Sequence, residues 1–206
     1  MKFMYLAPLA FVAVSATASA DGLYVLGEVT HSSNSLKRNA FDNTLADNGA
    51  VGLTSSDKGG SNQWRLQGGY RFNENLAVEA GYIDFGTAKY SAAYTGGGAQ
   101  GKLKAGGVDI AGVVSLPVSQ NFSVFGKAGL VAAKVKASLA ADGPASAASD
   151  TASSTVVRPL AGIGGSFKLN QNVSLRAEID HVSDLGKSST GKMSSNMVSM
   201  GLAYDF

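Results

Sequence analysis

Two histidines and 15 carboxylates are the raw material for chemistry in this 206-residue chain, and no cysteine joins them. The tightest grouping is His181-Val182-Ser183-Asp184. A base two residues from a hydroxyl is the minimum needed to activate a nucleophile. In an extended segment His181 and Ser183 share the outward face, where a lipid substrate would arrive. No Asp or Glu follows Asp184 until Asp205, so the acid that would orient the imidazole is missing. The alternative is a histidine at the rim of a strand, and no catalytic residue is expected. Gly96 to Leu103 comes within one residue of a phosphate-binding loop. Leu103 replaces its Ser/Thr and no strand-to-helix junction surrounds it, so a flexible loop is expected. His31 has no partner at metal-ligand spacing, and Asp42, Asp47 and Asp57 lack the alternation of a calcium loop. They are expected to be solvated loop charges, with no metal and no cofactor.

The remaining ionisable residues fall on a regular scaffold. Alternation of apolar and polar residues marks eight strands: 22–32, 62–72, 76–86, 106–118, 122–135, 156–169, 173–182 and 196–206. Most reach the roughly 9–11 residues a tilted strand needs to cross a bilayer. Three connections are short and rich in Asn: Asn73-Glu74-Asn75, Ser119-Gln120-Asn121 and Asn170-Gln171-Asn172. Asn tolerates the left-handed conformations of tight hairpins. The other four connections, 33–61, 87–105, 136–155 and 183–195, are long and polar. Short and long connections in strict alternation place all turns at one rim and all loops at the other. The expected fold is all-β: an eight-stranded antiparallel up-and-down transmembrane barrel with short periplasmic turns and long extracellular loops. A soluble up-and-down barrel would have no use for an apolar outer band.

The faces sort by parity. Trp64, Leu66, Tyr70 and Phe72 oppose Gln63, Arg65, Gln67 and Arg71; Val173, Leu175, Ala177 and Ile179 oppose Ser174, Arg176, Glu178 and Asp180. A charge facing lipid at mid-bilayer costs about 2–4 kcal/mol, so the polar face must line the lumen. Eight strands leave room there only for side chains. Arg65, Glu79, Asp109, Lys127, Arg158, Arg176, Glu178 and Asp180 are therefore expected to pair inside, as a polar plug in place of an open pore.

Both ends fit an outer-membrane destination. Residues 1–20 have the form of a secretory signal peptide: Lys2, an apolar stretch from Phe3 to Val14, and cleavage after Ala18-Ser19-Ala20. Residues 21–206 would then form one domain. At the other end, Val198, Met200, Leu202, Tyr204 and Phe206 alternate to the last residue. Ser199, Gly201, Tyr204 and Phe206 are similar to the C-terminal insertion signal of bacterial outer-membrane barrels. A net charge of +2 argues against nucleic acid as a partner.

With that topology in place, the chain resembles the OmpA-like eight-stranded transmembrane domain over essentially its whole mature length. The carriers are Leu76 to Gly86, Leu116 to Leu130, Leu175 to Gly186 and the terminal strand. The resemblance implies a Gram-negative outer-membrane location among lipids and lipopolysaccharide, insertion by the barrel-assembly machinery, and roles in envelope integrity, adhesion or weak permeation. A host or surface ligand would meet the outer loops, foremost residues 33–61. Some members add a peptidoglycan-binding domain; this sequence ends at the barrel, so that tether is not expected. The family's interior ion-pair gate is matched by Glu79 and Arg176, while its Lys and second Glu positions hold Val113 and Ser166. A fixed Glu79–Arg176 pair is expected, with Lys127 and Glu178 nearby and minimal conductance. Two alternatives are a narrow small-solute channel and a PagL-type lipid A deacylase, whose His-x-Ser-Asn run His181 to Asp184 resembles with Asp184 in place of Asn.

Overall fold

The computed structural model describes residues 22–58, 61–187 and 191–206; the signal-peptide segment lies outside them. The chain order is β1 (Leu23–Lys37), α1 (Asn39–Asp47), β2 (Thr54–Lys58), β3 (Ser61–Arg71), β4 (Leu76–Tyr94), β5 (Gly97–Pro117), β6 (Phe122–Ala141), β7 (Asp150–Lys168), β8 (Val173–Lys187) and β9 (Gly191–Asp205). A short 3-10 segment, Gly143–Ala148, joins β6 to β7. Every pairing is antiparallel, and β1 bonds β9 while β4 bonds β5, so eight strands close a ring. The ninth, β2, adds to β4 above the end of β3. Closure leaves no unpaired edge to face hydrocarbon.

Alternation decides what each face meets. Outward positions form an apolar band, with Val25, Val29, Leu66, Tyr82, Ile110, Leu130, Ile163, Ile179, Val198 and Leu202 all exposed. Aromatic residues cluster at its lower rim, where Tyr70 meets Phe72 and Tyr204 meets Phe206 edge-on at 5.2 Å each. Such girdles mark the interface of outer-membrane barrels.

The three periplasmic turns fall where the Asn-rich segments stand, but the residues act differently from the expectation. Among the described residues Asp184 is the one non-glycine with positive φ, so no turn Asn is left-handed. Their amides serve as caps. Asn73 Oδ1 accepts from the N–H groups of Asn75 and Leu76, and Asn170 Oδ1 from those of Asn172 and Val173, at 2.8–2.9 Å. Asn75 Nδ2 then donates to the Ser115 carbonyl and Asn172 Nδ2 to that of Asp205, each at 2.9 Å, tying a turn to the next strand. Replacing Asn73 or Asn170 by Ala removes two acceptor contacts at an exposed turn, so each is expected to lower unfolding stability by about 1 kcal/mol. Urea titration of the folded barrel in micelles measures it.

Where the structure describes them, the long connections are largely strand and helix. Strands β4 to β7 run 19, 21, 20 and 19 residues, well past a bilayer crossing. Residues 87–105 form a hairpin turning at Thr95 and Gly96, the latter with φ +80°. The segment resembling a phosphate-binding loop thus lies mostly in β5. Residues 33–61 contain the end of β1, a helix and β2. In these upper stretches Ala, Leu and Tyr side chains point inward and Lys, Ser or Gln outward. That is strand alternation with the lipid-facing half replaced by polar side chains.

Candidate functional site: the barrel interior

The lower part of the lumen is ionic. Glu79 of β4 is contacted by Arg176 of β8 and by Lys127 of β6, the latter at 3.0 Å. Glu178 accepts from the same two cations, Lys127 at 2.9 Å and Arg176 at 3.2 Å. The four form a ring in which each acid touches both bases. Lys127 of β6 and Glu178 of β8 are the two residues expected near the Glu79–Arg176 pair, and the ring is made by them and not by Val113 of β5 or Ser166 of β7. Arg65 of β3 extends the ring, contacting Glu178, Asp180 at 2.7 Å and Glu28 at 3.4 Å. Asp109 joins through Gln67, whose Nε2 donates at 2.7 Å. Tyr24 donates to Glu79 at 2.7 Å, and the Arg176 guanidinium lies 4.0 Å over the Phe125 ring.

Glycine makes room for this crowding. A Cβ on Gly162 would strike the Asp180 carboxylate, and one on Gly201 would meet the Glu28 side chain and the backbone. These two glycines leave the space that the Asp180 and Glu28 side chains occupy.

Seven of the eight sequence-predicted interior residues thus stand together. Arg158 does not share their level. It is half-buried nearer the extracellular end, and its Nε donates to the Asp184 carbonyl at 2.7 Å. Parity gave its face correctly but not its height. Glu28 and Tyr24 were missed, although Tyr24, Leu26, Glu28, Thr30 and Ser32 alternate inward along β1 and are all buried.

Above the ionic layer the lumen is apolar. Phe85, Ala88, Leu103, Ala105, Val131, Val135, Val182, Leu185 and Met197 are buried together, and α1 adds Phe41 and Leu45 from above. Phe41 stacks on Tyr90 with ring centroids 4.9 Å apart. The Tyr90 hydroxyl donates to Asp42 at 2.5 Å, and Arg38 pairs with Asp57 at 3.3 Å. Asp42 and Asp57 are therefore structural partners of this cap, not the solvated loop charges expected. Burial first, and then the Asp42 hydrogen bond and charge, push the Tyr90 phenol above its ordinary range. A phenol whose pKa rises on folding stabilises fully below the unfolded value of about 10 and loses that contribution as pH climbs toward the folded one. Proteolysis of the α1 segment is thus expected to accelerate above about pH 10. Tyr90→Phe should remove that alkaline step and, by deleting the Asp42 hydrogen bond, lower local stability at neutral pH by about 1 kcal/mol.

The nucleophile candidate has different geometry. His181 is exposed on the outer face and its Nδ1 meets Asn196 Oδ1 at 2.6 Å across the β8–β9 pair. A bulge between Val182 and Leu185 follows, where Asp184 takes φ 53° and pairs with Lys37 at 2.7 Å. Among the described residues no hydrogen bond joins Ser183 to His181, and no group of three or more His, Cys, Asp or Glu is placed to hold a metal. His31 lies on the outer face of β1.

A closed, apolar-banded ring of eight antiparallel strands around an ionic lumen defines a bacterial outer-membrane β-barrel. Residues 29–206 match the model of the OmpA-like transmembrane domain, and the chain belongs to that family. It is 29% identical to outer membrane protein A of Serratia marcescens over 142 residues, covering 67% of this chain and 37% of that protein. Against outer membrane protein A of Yersinia pseudotuberculosis serotype I (strain IP32953) it is 29% identical over 140 residues, covering 67% and 38%. The chain therefore spans less than two-fifths of these curated relatives. Its fold is similar to the crystal structures of Neisserial surface protein A (TM-score 0.56, 19% identity, 90% of this chain and 97% of that one) and of OprG from Pseudomonas aeruginosa (TM-score 0.50, 14% identity, 90% and 96%). The protein is a β-barrel of the cell outer membrane.

Proposed function

We propose that the barrel is a closed anchor, serving envelope integrity and surface contact through its extracellular extension and passing no solute. The observation that carries this is the double filling of the lumen, ionic below and apolar above. Water-filled passage would need both layers to part. The folded extension, with α1 and β2 built from residues 39–58, supplies a rigid surface on which a host or surface ligand would dock. Insertion would depend on the barrel-assembly machinery reading the last strand. There Ser199 is buried in the lumen while Tyr204 and Phe206 are exposed to lipid. Catalysis has no part in this proposal, because His181 is engaged by Asn196 and Asp184 turns away to Lys37.

Single-channel recording of the folded chain in planar bilayers tests the closure: a silent trace is expected. Frequent, stable conductance steps would reject the anchor and favour the narrow channel. Shortening residues 39–58 in cells, with detergent resistance and host-cell adhesion both scored, separates the two anchor roles. Lost adhesion with unchanged detergent resistance supports contact through this loop.

A further inference from the structure

The ring closes through the membrane but not above it. β7 pairs with β8 from Lys168 opposite Ser174 up to Leu160 opposite Val182, and no further among the described residues. Its pairing with β6 continues to Asp150. The sequence builds this fork. Pro159 stands where the β8 ladder stops, and on the other strand the Val182–Leu185 bulge, with Asp184 at φ 53°, breaks the register. Arg158 bridges the base of the fork by donating to the Asp184 carbonyl at 2.7 Å.

The direction of the backbone groups along this edge follows from the lower end of β7. The Lys168 N–H donates to the Asn121 carbonyl on the β6 side, and the Leu169 N–H to that of Val173 on the β8 side. A strand alternates these directions residue by residue, and β7 runs against β6 without a register shift. Even-numbered residues therefore give their backbone groups to β6. Thr151, Ser153, Thr155 and Val157 point theirs away from it, and Pro159, which has no N–H, falls on that same side.

Exposed edges are normally blunted by charge, proline or a cover. Between Asp150 and Arg158 this edge carries no charge and no proline, and Thr151, Thr155, Val156 and Val157 are β-branched, as a pleated strand prefers. The charge stands one strand further in. Lys134 and Lys136 of β6 lie directly opposite Thr155 and Ser153, point outward, and have no ion pair among the described residues. A strand added to β7 would carry its outward side chains about 10 Å from these lysines, across hydroxyl side chains too short to stand between. A glutamate and a lysine reaching toward each other close that distance. Inward, the same strand would lie beside Ala152 and the buried Val156, which suits a small apolar residue. A second copy does not fit: two barrels upright in one membrane run β7 in the same direction, which excludes antiparallel pairing between them.

We propose that residues 151–157 are a docking edge for an extended acidic polypeptide, added to β7 as an antiparallel strand with acids outward and small apolar residues inward. Main-chain hydrogen bonds supply the binding, and Lys134 and Lys136 select the charge. The site deepens the surface-contact role proposed above and rests on it.

The test uses the full folded chain in uncharged detergent micelles and a fluorescent eight-residue peptide alternating Glu with Val, read by anisotropy. In the added strand the Glu N–H groups face β7, so a peptide N-methylated at each Glu is expected to bind about tenfold more weakly or worse. Gln in place of Glu should also weaken binding, and K134Q/K136Q should erase the difference between the Glu and Gln peptides, each lysine accounting for about two- to fivefold. S153P/T155P removes two free-edge donors and none bonded to β6, and should lower affinity about tenfold or more. S153A/T155A should leave it unchanged. Unboiled gel mobility checks folding, and the N-methylated peptide against the wild type carries the same test should the proline variant fail to fold. The proposal is overturned if the wild type binds none of the peptides, if it binds the N-methylated one equally well, or if folded S153P/T155P keeps full affinity. Peptide binding by the barrel with no host-cell adhesion by cells that display it would leave the edge standing and remove the adhesive role. Adhesion without peptide binding would do the reverse.

Discussion

Arg65→Met is expected to cost about 3–5 kcal/mol of unfolding free energy, the penalty typical of breaking a buried ion pair from one side. Arg65 is fully buried and touches Glu28, Glu178 and Asp180. Its loss leaves five interior carboxylates facing two cations, Lys127 and Arg176, which already serve Glu79 and Glu178. Methionine fills much of the volume, so the cost measures charge rather than a cavity. Glu178→Gln alone should also destabilise, because both ring cations and Arg65 lose a shared acceptor. The combination R65M/E178Q should cost clearly less than the sum of the two, since E178Q removes one of the carboxylates that Arg65→Met leaves without its cation. Urea unfolding in lipid vesicles, read by gel mobility without boiling, measures all three. An Arg65→Met penalty under about 1 kcal/mol would mean that water screens the lumen and that the network contributes little.

The same network shows how far alternation alone reaches. Parity along β3 and β8 puts Arg65, Arg176, Glu178 and Asp180 inside, because each adjoins a large apolar residue that must face lipid; Lys127, between Gly126 and Ala128, follows from the outward Val124 and Leu130 of opposite parity on β6. It misses Glu28 because β1 buries Tyr24 and Leu26 on the acid's own face, so neither face reads as the polar one. Height along the barrel is invisible to parity, which is why Arg158 was grouped with residues well below it. Matching positions to a family pattern led to Val113 and Ser166 and made the ring look incomplete. The ring needs charges at a common level in space, and Lys127 and Glu178 reach that level from neighbouring strands. The upper half of the barrel was hidden for a different reason. Once past the bilayer, outward positions become Lys, Ser and Gln, and the inward face of β5 and β6 dilutes Leu103, Val135 and Leu139 with Ala99, Gly101, Ala105 and Ala137, so the alternation weakens. A periodicity scan keyed to large apolar residues therefore stops at the membrane boundary while the strands continue.

That continuation sets the second large effect. Two closures stand in series along the lumen, so the tighter one governs the current. Arg176→Ala removes a cation that touches both Glu79 and Glu178 and covers Phe125, and it loosens the ionic layer. The apolar layer remains, with Leu103, Val135, Val182 and Met197 buried below α1. A dry constriction of this kind blocks ions even where it leaves small voids. R176A is therefore expected to stay as silent as the wild type in planar bilayers. L103S/M197S should open the apolar layer but leave the ionic ring intact, and it should be nearly silent too. Joining the three changes in one chain is expected to yield stable conductance steps where each part alone gives none, an increase of at least tenfold in integrated current. If R176A alone conducts as well as the combined variant, the apolar layer is no barrier and the ionic ring is the whole of the closure. If the combined variant stays silent while unboiled gels show it folded, the remaining buried side chains seal the lumen without help from either layer's key residues.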